Sequence, residues 1–322
     1  MRNRNRLTIF SSIVFFLLFS FSSRGNDREK MNLSGKVKSV TAFEFEAKSA
    51  EGKVIKGAGK STAADDYNYS MFAAGGRFKE QKSLGKEDSL IRRKIYKYND
   101  KDSLIEITIL GADSALVEKV KYKRDMQGRT TEVRFTDAKG KTEKSYLQIY
   151  DTAKKTMEWI ARDENDSLDK PILTPREIYF YDGKGNVKKI EHYTFRNPTT
   201  MILGTISTFS YDAKNHLKET IHYFKNDSIR EKITYSYSNT GKLQSSSEEE
   251  FFYSRLLKSK ADMKYDEKGN LTDSVVLHAK TKLKEEWTFK YENDQTGNWI
   301  RCVAFHNSSP VKITERKIEY YP

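Results

Sequence analysis

The chain has 322 residues, 32% of them charged and 12% aromatic, with 58 Lys and Arg against 45 Asp and Glu for a formal charge of +13. That aromatic share excludes a disordered chain, and a single cysteine, Cys302, excludes an intramolecular disulfide framework and a cysteine-based zinc site. The charge permits anionic partners, but basic and acidic residues interleave and no block of five basic residues exists, so nucleic acid is not an expected partner.

At the N-terminus, Arg2, Arg4 and Arg6 precede an apolar run from Leu7 to Phe21, interrupted by Ser11, Ser12 and Ser20. The run is shorter than the roughly 20 residues a spanning helix needs. Ser20 and Ser22 supply the small residues of a cleavage site, so residues 1–22 read as a secretory signal peptide and residues 23–322 as the mature chain. Cleavage would remove three Arg and no acid, lowering the charge from +13 to +10. No cysteine lies near the site, so a lipoprotein anchor is not expected, and neither is a stable membrane span after cleavage. The expected location is periplasmic or extracellular.

Next comes Gly57-Ala58-Gly59-Lys60-Ser61, a near-miss to a phosphate-binding loop. The first glycine of that motif would stand at Val54, and no helix pattern follows, so it reads as a Gly-rich loop.

From residue 72 onward the chain repeats. An aromatic, then Asp or Asn, then two residues, then Gly recurs as Tyr181-Asp182-Gly183-Lys184-Gly185, Tyr211-Asp212-Ala213-Lys214-Asn215, Tyr237-Ser238-Asn239-Thr240-Gly241 and Tyr265-Asp266-Glu267-Lys268-Gly269. A stretched copy runs from Tyr291 to Gly297, and degenerate copies begin at Phe72, Tyr98, Arg124 and Tyr150. The aromatic closes a strand. Asp or Asn starts a turn by bonding to nearby backbone. Gly, or Asn215 in its place, supplies the positive φ a tight turn needs. Between anchors, alternating runs such as Leu104 to Ile109 and Ile233 to Tyr237 have the period of strands with one wet face. Nine such units predict about 18 strands in one all-β domain. Asp182, Gly185, Asp212, Asn215, Gly241, Asp266, Gly269 and Gly297 are its predicted turn residues.

These units resemble the YD repeats of the Rhs family, over residues 72–322 and more loosely at Leu33 to Lys38. The resemblance implies tandem antiparallel β-hairpins wound into a large curved sheet or hollow shell, and the fold expected here is a long curved or solenoid-like sheet. The Rhs core segment and toxin domain are not seen, so the likeness is to short, stand-alone exported repeat proteins of the Bacteroidetes type, and toxin activity is not implied.

No catalytic, cofactor or metal site follows from the remaining residues. Asp163 to Asp169 has Leu168 where a calcium loop needs Gly, and Glu248-Glu249-Glu250 reads as an exposed charge run. His192 and His222 share one repeat register, and no histidine pair has helical ligand spacing. Cys302 lies in an apolar run and reads as a buried, inert thiol. Trp159, Trp287 and Trp299 are the candidate ligand-binding residues, because aromatic faces stack on sugars and anchor interfaces. The expected function is non-catalytic binding or scaffolding in the cell envelope, with a glycan or envelope protein as partner. A glycan-active enzyme and an outer-membrane β-barrel are the alternatives.

Overall fold

The computed structural model describes residues 26–60, 66–163, 176–197, 200–225 and 227–322. A four-residue helix, α1 (Asp27–Lys30), leads into β1 (Val37–Ala50), β2 (Lys53–Gly59), β3 (Tyr69–Phe72), β4 (Phe78–Leu84), β5 (Leu90–Tyr98) and β6 (Leu104–Gly111). Then come β7 (Leu116–Arg124), β8 (Thr130–Asp137), β9 (Thr142–Asp151), β10 (Thr156–Asp163), β11 (Arg176–Tyr181), β12 (Val187–Asn197), β13 (Thr200–Tyr211) and β14 (Leu217–Tyr223). The chain ends with β15 (Ile229–Tyr237), β16 (Leu243–Phe251), β17 (Leu257–Tyr265), β18 (Leu271–His278), β19 (Lys284–Asn293), β20 (Trp299–His306) and β21 (Ser309–Tyr320).

From β3 to β21 each strand pairs antiparallel with the next. β1 then closes the sheet. One edge of β1 pairs with β21 from Val37 to Glu46, and the other pairs with β3 from Ser39 to Thr41. β2 hangs on that second edge further along β1, outside the ring. The ring is therefore a barrel of 20 antiparallel strands. The all-β expectation holds, but the open curved or solenoid-like sheet is corrected. The nine predicted hairpins are β3/β4 through β19/β20, and the strands outside them are β1, β2 and β21. Physically, closure removes the two unpaired edges that an open meander would expose.

Paired residues share a face, so side-chain parity can be followed around the ring. It returns to itself at β1: Val40 pairs with both Ile318 and Ser70, on the same parity as Ile107, Val120, Met157, Ser207, Ala261 and Ala304. Most buried residues sit on this parity, including Val40, Phe72, Ile109, Val120, Met157, His222, Met263, Val276 and Ala304. It is the concave inner face, where side chains crowd. The outer parity carries Lys119, Lys121 and Lys123 on β7, Glu132 and Arg134 on β8, and Lys260, Asp262 and Lys264 on β17. Outer ion pairs such as Lys232–Glu219 (2.9 Å) and Lys189–Glu191 (2.8 Å) lie along that wall.

The interior is a lined space and not a filled core. Side chains fill a barrel of about 8 strands, whereas far larger barrels leave a lumen. Among the described residues, two small clusters of buried apolar side chains form, one around Leu33, Val37, Val40 and Phe72 and one around Ala261, Met263 and Val276, and others such as Ile109, Val120, Met157 and Ile313 lie outside both. Ile107, Tyr122, Trp159 and Tyr179 on the inner wall are only half-buried.

Strand direction alternates, so all nine odd-to-even turns fall on one rim. There Asp182 Oδ1 accepts from the Lys184 and Asn186 amides (2.8 and 2.9 Å), and Asp266 Oδ1 does the same with Lys268 and Asn270 (2.9 and 2.8 Å). Asp212 accepts from the His216 amide (2.7 Å). The fourth turn position has φ of +85° at Gly185, +82° at Gly241, +84° at Gly269 and +87° at Gly297, and Asn215 takes +71°.

The anchor tyrosines tie one hairpin to its predecessor. Tyr211 donates to the Val187 carbonyl (2.9 Å), Tyr237 to Leu217 (2.8 Å) and Tyr291 to Leu271 (2.8 Å). Arg124, the anchor in a degenerate copy, reaches the equivalent Leu104 carbonyl through Nη2 at 3.0 Å.

The segment before β1 straps the barrel seam on the same rim. Asp27 accepts from the Phe78 amide (2.9 Å), while Asn32 donates to Asn270 (3.1 Å) and the Ser34 amide to Asn298 (2.7 Å). The strap thus joins β4 on one side of β1 to the β17–β18 and β19–β20 turns on the other.

Candidate functional site

The enclosed inner wall carries the chain's most unusual chemistry. A polar ladder crosses six consecutive strands, one group per strand: Glu177 on β11, His192 on β12, Ser207 on β13, His222 on β14, Glu231 on β15 and Glu248 on β16. Register sets it up, since Glu177 pairs with His192, Ser207 with His222, and His222 with Glu231. His192 Nδ1 lies 2.9 Å from Glu177 Oε1, and its Nε2 lies 3.4 Å from Ser207 Oγ. Ser207 Oγ is 2.7 Å from His222 Nδ1, and His222 Nε2 is 3.5 Å from Glu231 Oε2. Tyr179 donates to Glu177 at 2.7 Å.

The ladder's titration follows from its surroundings. Burial, with the Arg230 and His192 charges, pushes His222 down to about 4, so it is neutral at pH 7. Burial, then the charges of Glu231 and Glu250, pushes Glu248 up to about 7, and burial raises Glu231 as well. Glu177 moves down despite its burial, because His192 and Tyr179 bond to its charged form. The charge run at Glu248-Glu249-Glu250 is thus split by strand parity. Glu248 and Glu250 line the interior, and Glu249 faces outward beside Lys232 and Lys260.

Glu177, His192 and Ser207 stand in the order of a carboxylate–base–nucleophile set. Ser207 is only 3% exposed.

A second polar group lies further round the wall. Glu285 on β19 lies between two histidines, with His278 Nε2 at 3.2 Å from Oε1 and His306 Nε2 at 3.2 Å from Oε2. Trp287 stacks on His306 with centroids 4.5 Å apart. Trp159 also faces inward and stacks flat on Tyr146 (4.3 Å, 6°). Trp299 sits near the strapped rim, with the Arg316 guanidinium 3.4 Å from its ring centroid and Tyr291 tilted against it at 5.8 Å. With Asn32, Ser34, Lys268, Asn270 and Gly297 it lines a cavity of about 110 Å³. The structure therefore brings Trp159 and Trp287 to the inner wall, and places Trp299 at the strapped-rim end of that wall against Tyr291 and Arg316.

The other sequence candidates fall away from this wall or carry no chemistry. Gly57 and Gly59 lie in β2, a strand and not a loop opening a helix, and Ser61 is outside the described residues. The acidic stretch Asp163 to Asp169 also lies outside them, apart from Asp163 itself. Cys302 is buried on the inner wall, and burial pushes its thiol up. Among the described residues no group of three or more His, Cys, Asp or Glu is placed to hold a metal ion. The Ser207 bridge is the feature that sequence reading missed. The shared register of His192 and His222 was its only trace.

No family model matches the chain, and no curated protein matches it either. Solved structures do. A porin-like protein from Bacteroides uniformis ATCC 8492 aligns over 89% of this chain and 98% of its own, at 11% identity and a TM-score of 0.36. A porin-like protein from Bacteroides vulgatus ATCC 8482 aligns over 71% and 98%, at 9% identity and a TM-score of 0.32. TcdB2-TccC3 without its hypervariable C-terminal region aligns over 80% of this chain and 17% of its own, at 10% identity and a TM-score of 0.22.

Proposed function

We propose that the chain is an exported, closed β-barrel of the cell envelope that holds a polar ligand against its inner wall and performs no catalysis. The observation that carries this reading is the return of antiparallel pairing at β1, which encloses one face of the whole sheet. Closure favours a barrel over an open scaffold surface. The enclosed face joins flat aromatic surfaces at Trp159 and Trp287 to carboxylates and histidines, the mixture that binds polyhydroxylated ligands such as glycans.

An outer-membrane form of the barrel is the second reading, favoured by an even number of antiparallel strands in a closed ring. Its difficulty is the outer wall. Each Lys or Arg on a lipid-facing midplane costs about 2 to 4 kcal/mol, and β7 alone presents three lysines on the outer parity. The charged wall supports a barrel surrounded by water.

The chain expressed from Ser23 tests both. Solution as a monodisperse species in plain buffer, with tryptophan quenching by an envelope glycan that Trp159→Ala or Trp287→Ala abolishes, is the expected result. A requirement for detergent would move the reading to the outer membrane.

A further inference from the structure

The rim opposite the strap carries a concentrated apolar surface. Nine large hydrophobic side chains stand out as exposed among the described residues, and five of them lie between residues 252 and 283. Phe252, Tyr253 and Leu256 (42%, 59% and 67% exposed) form the β16–β17 turn. Leu277 and Leu283 (38% and 48%) flank the next turn on that rim, β18–β19. The other four, Ile55, Val117, Met126 and Ile149, are scattered over β2, β7, the opposite rim and β9.

These tips form one surface. Phe224, at the β14–β15 turn, packs edge-on against Tyr253 with centroids 5.2 Å apart. The Ala279 amide bonds to the Lys258 carbonyl at 3.0 Å, fixing the β18–β19 tip against β17. Around the apolar groups stand Lys225, Arg255, Lys280 and Lys282, all exposed, against one acid, Asp227. Lys284 is paired with Glu286 and does not add to this excess.

We infer that this rim docks on the surface of an anionic phospholipid bilayer, inserting Phe252, Tyr253, Leu256 and Leu283 at the headgroup boundary. Aromatic and leucine side chains on turn tips supply apolar area for shallow insertion, and the surrounding basic groups meet lipid phosphates. The charge selects this occupant over a second copy of the chain, since two copies of this basic arc would repel each other. The inference does not depend on what the inner wall binds.

The test is co-sedimentation of the mature chain with phosphatidylcholine vesicles, with and without phosphatidylglycerol, at low and high salt. Binding is expected only with phosphatidylglycerol. The Phe252→Ser/Tyr253→Ser/Leu256→Ser variant is expected to bind at least about tenfold more weakly. Lys280→Gln/Lys282→Gln should weaken binding and flatten its salt dependence. Met126→Ser, at a fully exposed position on the strapped rim, should change nothing. Unfolding midpoints of each variant confirm that the barrel is intact, and Leu256→Ser alone serves if the triple variant is destabilised. Wild-type binding that is absent, indifferent to phosphatidylglycerol, or equal in the apolar variant and wild type would overturn the inference.

Discussion

Tyr237 shows how a repeated residue does structural work. Its hydroxyl reaches back to the first carbonyl of β14, Leu217, as Tyr211 and Tyr291 do to β12 and β18. Tyr237→Phe removes that bond and keeps the ring, so it should cost about 1 kcal/mol in urea unfolding. A second residue-scale expectation concerns Glu248. Its carboxyl titrates at about 7 in the folded protein against an ordinary 4.5, so between those values the folded chain keeps a proton that the unfolded chain has released. Stability from this group is complete below 4.5 and is lost as the pH rises toward 7. Glu248→Gln should therefore match wild type at low pH and exceed it above pH 7, as read from urea midpoints across that range. His222 acts in the opposite direction: held at about 4 against 6.5, it lowers stability as the pH falls through that window. Neither titration was legible in the sequence. Glu248 read as part of an exposed charge run because period-two parity, which sends Glu248 inward and Glu249 outward, takes effect only once the strand's register is fixed.

The hairpin is the element that the sequence describes best. Its signals are local: an Asp whose carboxylate receives two amides within four residues, and a position that must take positive φ. Asn215 at +71° beside Gly269 at +84° shows that this position accepts Asn as well as Gly. Gly269→Asn should then be close to neutral, whereas Gly269→Val should cost about 1 to 2 kcal/mol in thermal or urea unfolding, because a β-branched side chain clashes in that conformation. Loss of similar size in both variants would mean that the turn is not what constrains the residue. The polar ladder was harder to see for a related reason. Ser207 meets His192 and His222 only through the β12–β13 and β13–β14 registers, and the former contains a shift between His192 and Tyr193 that no repeat spacing reveals.

At the scale of the whole molecule, strand count was nearly legible and closure was not. Nine hairpins follow from spacing alone. The seam joins residues such as Ser39 and Glu319, 280 positions apart, whose side chains bond at 2.8 Å. Nothing local marks that contact, and the first strand precedes the recognisable repeats. Closure also carries the proposed function, because it turns one face of a curved sheet into an enclosed wall. The measurement that tests it most directly places cysteines across the seam, at Thr41 and Lys317, which are partners in the β1–β21 ladder, with Cys302→Ser removing the native thiol. Mild oxidation in plain buffer should give a fast-migrating monomer with one intramolecular disulfide, and the out-of-register pair Thr41 and Ile313 should not. A chain that stays uncrosslinked, or crosslinks only between molecules, would contradict the closed barrel.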